Sequence, residues 1–538
     1  MRHLFAIIAI GVVTSAHAQT TISVDAAANR RPISPEIYGL SFAPGPLLPL
    51  LNVALNRSGG NATTRYNWQA NASNRASDWY FESISEEGAG PGEGVDGFIA
   101  DTRFGDGEPM ITLPIIGWAA KLGPGRAKLA SYSVAKYGPQ QSTDPFMPDA
   151  GNGIRPDGTR IADNDPHDAN VPVDSAFQLP WIEHLSAQGV KTIILDNEPS
   201  LWQETHRDVH PVGATMDEVA AKAIDAAQRV KSVNPNIRVA GPEEWGWGGY
   251  FISGYDQQWS AAHDFSGFPD RDAHGGWAYL PWLLDQFRRA EVAGGRRLLD
   301  VFTVHYYPQG GEYGDDVSPA MQLRRNRSTR ALWDPGYVDE SWINDRVMLI
   351  PRLQKWVADY YPGTRIGITE YNWGAEQHIN GATAQADVLG IFGREGVDLA
   401  ARWTSPSTNT AAFNAIRIYR SYDGKKSAFG DVSVRAAVPN PDELSAFAAV
   451  RSSDGKLTLM IVNKIFTPTP ATVTLANFPA GTAAEAWQLT SLNRINRIAD
   501  VPMSGASLSI TAPAQSITLL VIPRAAAGQP ARRRATRH

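Results

Sequence analysis

Short apolar runs recur along the chain, each ending abruptly in polar or aromatic residues. They read IYGLSFA at 37–43, the stretch leading to Arg57, MITLPIIGW at 110–118, TIIL at 192–195 and IRVAG from 237. LLDVFTVHYYP at 298–308, TRIGITEYNWG at 364–374 and LAARWTSP at 399–406 continue the series. Continuous β-branched runs of this length predict strands buried on both faces. Between them lie segments of helical period. Thr215-Met216-Asp217-Glu218 is a capping box, opening a helix with Val219, Ala223, Ala227 and Val230 on one face. Residues 277–291 and 342–360 are also amphipathic. Strands alternating with helices predict parallel βαβ units, and about eight of them predict a closed (β/α)8 TIM-like barrel.

After residue 420 the pattern changes to short alternating strands, such as LTLMIVN, ATVTLANF and SITLLVIP, with Asp454-Gly455 as a hairpin turn. No helical period appears there, which predicts a C-terminal all-β sandwich. TTISVDAAA at 20–28 also alternates and is able to pair with that sandwich. The expected division is a barrel over 31–415 and a sandwich made of 20–30 plus 416–523. A chain of 538 residues is long enough for both.

The two ends read differently. Arg2, an apolar run from Leu4 to Val13 and Ala16-His17-Ala18 form a secretory signal-peptide pattern over 1–18, too short for a membrane span. A secreted or periplasmic protein, not a membrane protein, is expected. The 524–538 tail carries Arg532, Arg533, Arg534 and Arg537 with no core-forming residue, and is read as a disordered basic tail. Net charge is −6 overall, so a nucleic-acid partner is not expected. There is no Cys, which excludes disulfides, thiolate metal sites and a Cys nucleophile. A monomer is expected.

Candidate chemistry collects where the runs stop. TIIL runs into Asp196-Asn197-Glu198-Pro199, and other run ends carry Glu243, His305, Tyr306 and Glu370. On a parallel barrel those ends converge on one face. Two carboxyls close together titrate apart, one keeping its proton and the other ionised. Glycosidases need such a pair across one bond, and a separation of about 5 Å accords with double displacement. Glu198 is assigned as acid/base and Glu370 as nucleophile. Asn197 is assigned to a sugar hydroxyl, and His305 or Tyr306 to holding Glu370. Arg57, Asn61 and Glu243 are candidate sugar contacts, and Trp68, Trp333, Trp373 and Trp403 candidate stacking faces.

Two other features suggest metals. Residues 138–174 form a long insert without periodicity, in which Asp149, Asp157, Asp163, Asp165 and Asp168 offer oxygen ligands for Ca²⁺ or simply solvated turns. His206 and His210 stand four apart, yet no Glu follows His206 and the HExxH pattern fails. No cofactor is expected for catalysis.

RSGGNATTRYNWQ, DNEPSLWQETHRDVHP, GPEEWGW and ITEYNWG resemble glycoside hydrolase family 44, the bacterial endoglucanases and xyloglucanases. The resemblance spans roughly residues 20–523. It implies a barrel with carboxylates after strands four and seven, and a sandwich completed by the first N-terminal strand. It also implies retaining hydrolysis of internal β-1,4 bonds in β-glucans such as xyloglucan, carboxymethylcellulose and mixed glucans. It puts the acid/base on Glu198 and the nucleophile on Glu370, and leaves a structural Ca²⁺ without placed ligands. Alternatives are a mannan or xylan preference, a noncatalytic glycan-binding protein, and a metal-dependent hydrolase built on His206 and His210.

Overall fold

A computed structural model describes residues 19–525, so the signal-peptide pattern and nearly all of the basic tail lie outside the described residues. Eight strands close into a barrel: β1 Gly39–Ser41, β2 Leu55–Ser58, β3 Glu108–Leu113, β4 Thr192–Leu195, β5 Arg238–Glu244, β6 Val301–Tyr306, β7 Arg365–Tyr371 and β8 Leu399–Arg402. Every neighbouring pair is parallel, so all eight C-terminal ends open on one face.

The apolar runs are continuous because each strand serves two cores. In β4, Ile194 points inward to Leu55, Met110, Ala240, Val301 and Leu399. Its neighbours Ile193 and Leu195 point outward into the layer shared with the helices. The first helix named here, α1, spans Met216–Val233. Its Thr215 cap accepts from the Glu218 N–H at 3.2 Å, and Val219, Ala223, Ala227 and Val230 are buried. The amphipathic segment at 342–360 is helical only over Leu349–Tyr360, and 277–291 becomes a helix over Tyr279–Gly294.

After β8 come a helix, Ala411–Arg420, which runs across the boundary expected at 416, and then the β region. Its strands are β9 Val432–Ala437, β10 Leu444–Val450, β11 Leu457–Asn463, β12 Thr469–Ala476, β13 Ala483–Leu489, β14 Ile495–Pro502, β15 Ser507–Ala512 and β16 Ser516–Ile522. The N-terminal strand Thr20–Asp25 pairs antiparallel with β9 and parallel with β12, linking the two sheets of a sandwich. In β11, Leu457, Leu459 and Ile461 face the sandwich core while Met460 and Val462 face the barrel side. β10 places Phe447 against Gly390 of the barrel helix Ile379–Glu395, α2. A Cβ at Gly390 would lie 2.2 Å from that ring, so only glycine permits this approach.

The 138–174 insert is not structureless. Thr143–Asp144 pairs with Met147–Gly151, and Asn170–Pro172 pairs with Trp118–Ala120. Buried Arg65 locks it to the loops after β2 and β4, donating to Asp208 at 2.5 Å, Asn170 at 3.1 Å and Asn74 at 2.5 Å. Polar pairing of this kind leaves no hydrophobic period to read.

Candidate active site

The open face of the barrel holds a cluster of charged side chains. Glu198 follows β4, Glu243 ends β5, His305 lies on β6 and Glu370 on β7. Arg57 of β2 reaches into their midst. It donates to Glu370 Oε1 at 2.8 Å, Glu243 Oε2 at 2.9 Å and Asn197 Oδ1 at 3.1 Å. His305 Nδ1 lies 2.8 Å from Glu198 Oε1 and 3.7 Å from Glu370 Oε2, and its Nε2 lies 3.2 Å from Glu243 Oε2. Ligand atoms of Glu198, His305 and Glu370 all fall within 4.8 Å of one another. Arg57, Glu243 and His305 are fully buried, whereas the Glu198 and Glu370 side chains keep 15% and 7% of their surface exposed. Only those two carboxyls present themselves to a ligand.

The backbone at the site is unusual. Asp196, Glu198 and Glu243 have φ of 60°, 46° and 61°, a left-handed conformation that non-glycine residues adopt at a cost. Several bonds hold it in place. Glu198 N–H donates to the Glu243 carbonyl at 3.0 Å, and buried Asp196 accepts from the N–H groups of Ile115, Ile116 and Asn197. Gly60, at φ 79°, has no Cβ to strike the Trp403 ring, which would lie 2.3 Å away.

Electrostatics separate the carboxyls. Burial opposes ionisation of Glu243, but Arg57 and His305 outweigh it and hold the carboxyl down at about 2. Burial would likewise strip His305 of its proton. The Glu370 charge and the bonds to Glu198 and Glu243 overcome this and lift it to about 10, making it an imidazolium at neutral pH. Glu198 moves the other way, raised chiefly by burial against the pull of His305. Arg57 and His305 therefore keep Glu243 ionised, and Glu198 is the group pushed toward carrying a proton. Behind it, burial lifts Glu244 to about 8, and Ser200 Oγ donates to it at 2.6 Å.

Several sequence expectations change. Tyr306 does not hold Glu370. It packs outward, 3.4 Å from Asp339, while Tyr307 donates to Glu370 Oε2 at 2.9 Å. Alternation along β6 carried that signal, since an inward His305 puts Tyr307, not Tyr306, on the same face. Arg57 and Glu243 are not sugar contacts, because each is sealed and paired with the other. Asn197 is also buried. It accepts from Gly60 N–H at 3.2 Å and donates to Asn61 Oδ1 at 3.1 Å, so it orients the loop after β2. Asn61 in turn donates to Asp78 at 3.0 Å at the exposed rim.

The tryptophans separate as well. Trp403 is half-buried beside Arg57, 5.9 Å from its guanidinium, and meets exposed Phe42 edge-on. Trp373 is buried with its N–H on Ser328, so it fills the core. Trp68 stacks on Trp181 and donates to the Phe177 carbonyl, a packing role. Trp333 lies under Arg394 at the flank of the barrel, among none of the residues above.

The metal candidates do not assemble. Asp149 accepts from Ser133 and Ala135, Asp157 from Thr159, Asp163 from Arg155, Asp165 from His167 and Asp168 from Lys136, and no three of them bring ligand atoms together. His210 is paired with Glu218 at 2.9 Å, and His206 is enclosed with neither ring nitrogen partnered among the described residues. The one group of ligand atoms within metal-binding reach among the described residues is Glu198, His305 and Glu370. An imidazolium and the adjoining Arg57 already supply its positive charge, so it does not fit a divalent cation.

A family model described as Glycoside hydrolase family 44 matches residues 72–310. The chain is 32% identical over 502 residues to Endoglucanase A of Paenibacillus lautus, covering 88% of this chain and 68% of that one. It is 60% identical to the crystal structure of CelM2, a bifunctional glucanase-xylanase from a metagenome library, with a TM-score of 0.93, covering 94% of this chain and 99% of that one. A Paenibacillus polymyxa xyloglucanase structure from the same family shares 29% identity at a TM-score of 0.78, with coverage of 94% and 99%. Likeness of that extent, over a barrel whose mouth holds two accessible carboxyls, makes this chain a glycosidase belonging to glycoside hydrolase family 44.

Proposed function

We propose that this protein is an exported, retaining endo-β-1,4-glucanase acting on β-glucans such as xyloglucan, carboxymethylcellulose and mixed glucans. The observation that carries the reading is the pair Glu198 and Glu370, with an oxygen of each within 4.8 Å, Glu198 raised by burial and both oxygens of Glu370 held by Arg57 and Tyr307. That spacing favours direct attack, since an inverting enzyme leaves room for a water at roughly 6.5–9.5 Å between carboxyls.

In this reading the Glu370 carboxylate attacks the anomeric carbon as the glycosidic C–O bond breaks. Glu198 delivers its proton to the departing oxygen. Arg57 and Tyr307 each hold one oxygen of Glu370, which fixes the angle of attack. Glu198, now ionised, takes a proton from water, and that water cleaves the glycosyl–Glu370 ester with the β-configuration restored. His305 stays protonated and steadies both carboxyls through the cycle. Export is supported by the signal-peptide pattern at 1–18, and no helix among the described residues is long and apolar enough to cross a membrane.

The glucan assignment rests on the endoglucanase and xyloglucanase relatives. A second backbone, xylan, is favoured by the 60% identical glucanase-xylanase. Proton NMR of the first-formed product anomer tests the mechanism: β-product supports retention, and α-product overturns it. Reducing-end release from xyloglucan, carboxymethylcellulose, xylan and mannan tests the substrate. Release from mannan alone would overturn the glucanase reading.

A further inference from the structure

A cleft of about 560 Å³ separates the flank of the barrel from the sandwich. Its walls are α2, the loop after β6 and the barrel-facing side of β9 and β10, and none of the catalytic cluster lines it. Volumes of 300–1,000 Å³ are usual for small-molecule sites. Six cationic side chains line it against two carboxylates. Three of the six are neutralised: Lys464 by Asp387 at 2.6 Å, Arg394 by Glu395 at 2.6 Å and Arg330 by Asp442 at 3.0 Å. Arg30, Arg31 and Arg435 form no direct ion pair among the described residues, although Asp25 lies near Arg435 and Asp398 near Arg31. Arg30 and Arg31 donate only to backbone carbonyls, which fixes their heads without cancelling their charge.

The same cleft is lined by half-buried Trp333, held by Arg394 at 4.2 Å. On its floor Asp387 gives one oxygen to Lys464 and Thr329, while its other oxygen, and Arg394 Nη2, are enclosed without a partner. Native folds seldom leave such groups unpaired, but both atoms are sealed beneath the cleft surface and do not themselves meet a ligand. The part of the indole that Arg394 leaves open to the cleft suits a sugar ring. Guanidinia free of a direct ion pair suit a carboxylate, which their planar forks bind in two-point fashion.

We propose that this cleft is a second saccharide site, taking an oligosaccharide that carries a carboxylate, such as a glucuronic-acid-substituted xylo-oligosaccharide. Binding here does not rest on the catalytic reading. It would hold a decorated chain beside the enzyme without cleaving it.

Calorimetry on the full chain carrying Glu370→Gln tests this, with glucuronosyl xylotriose as probe and xylotetraose and sodium sulfate as controls. The acidic oligosaccharide should bind, and should weaken at least tenfold in Arg435→Ala and again in Trp333→Ala. Arg435→Ala placed in the otherwise native enzyme should hydrolyse soluble glucan unchanged, which shows that it folds. Equal binding by both variants and their parent overturns the proposal. So does an equal loss of xylotetraose binding in Arg435→Ala, which removes the carboxylate, or of sulfate binding, which removes the sugar; xylotetraose binding that Arg435→Ala leaves unchanged belongs to the catalytic groove.

Discussion

The barrel interior holds two layers of opposite character on the same strands. Leu55 and Arg57 of β2 face inward two positions apart, and Val301 and His305 of β6 do so four apart. The lower layer, Leu55, Met110, Ile194, Ala240, Val301 and Leu399, is wholly apolar. The upper layer is Arg57, Glu243, His305 and Glu370, nearly as inaccessible but charged. The difference separates what closes the barrel from what it is closed for. Burying an apolar side chain stabilises by about 1.5–3 kcal/mol, whereas a buried ion pair barely recovers its own desolvation. The lower layer can account for stability. The upper layer has to be accounted for by chemistry.

Breaking the two layers in turn should give opposite results. Glu370→Gln is expected to lower kcat by on the order of 10⁴-fold or more while leaving thermal unfolding close to native, measured on a soluble glucan. Arg57→Ala leaves Glu243 and Glu370 with His305 as their one remaining cation in the cluster. Denaturant unfolding at neutral pH should lose about 3–5 kcal/mol, with activity falling as well.

The pH dependence of stability sharpens the contrast. His305, raised from an ordinary 6.5 to about 10, contributes fully below 6.5 and loses that contribution as pH rises toward 10. Glu243, lowered from 4.5 to about 2, contributes above 4.5 and loses it as pH falls toward 2. The charged layer should therefore support the fold best between those windows, at pH 4.5–6.5. His305→Gln should flatten the alkaline limb of a melting-temperature profile. An unchanged limb would remove the imidazolium from the site.

Smaller effects follow. Tyr307→Phe removes a bond to a carboxylate worth about 1.5–3 kcal/mol, so kcat should drop by roughly 10- to 100-fold. Tyr306→Phe should change it far less. Ile194→Val, in the lower layer, should cost about 0.5–1.5 kcal/mol of stability and leave the pH–activity profile alone.

Much of this was legible in advance because apolar runs and turn residues are local signals. TIIL followed by Asp-Asn-Glu-Pro announces a buried strand ending in a carboxylate, and the barrel then follows from repetition. Arg57 and Glu243 were visible at strand ends, but nothing local says that they face each other rather than solvent. That pairing depends on parallel register across neighbouring and distant strands. Trp373 was misplaced for the same reason: an aromatic just beyond a strand looks alike whether it lines a groove or fills a core. Tyr307 was the exception, recoverable from alternation alone.

By itself the sequence determined the elements and their order, because period and capping are written within a few residues of each position. It also determined which carboxyls stand at strand ends. Only the tertiary structure decided which of those groups are sealed, which keep a proton and which meet a ligand. Charge and burial are sums over neighbours that lie far apart along the chain, and no window of sequence contains them.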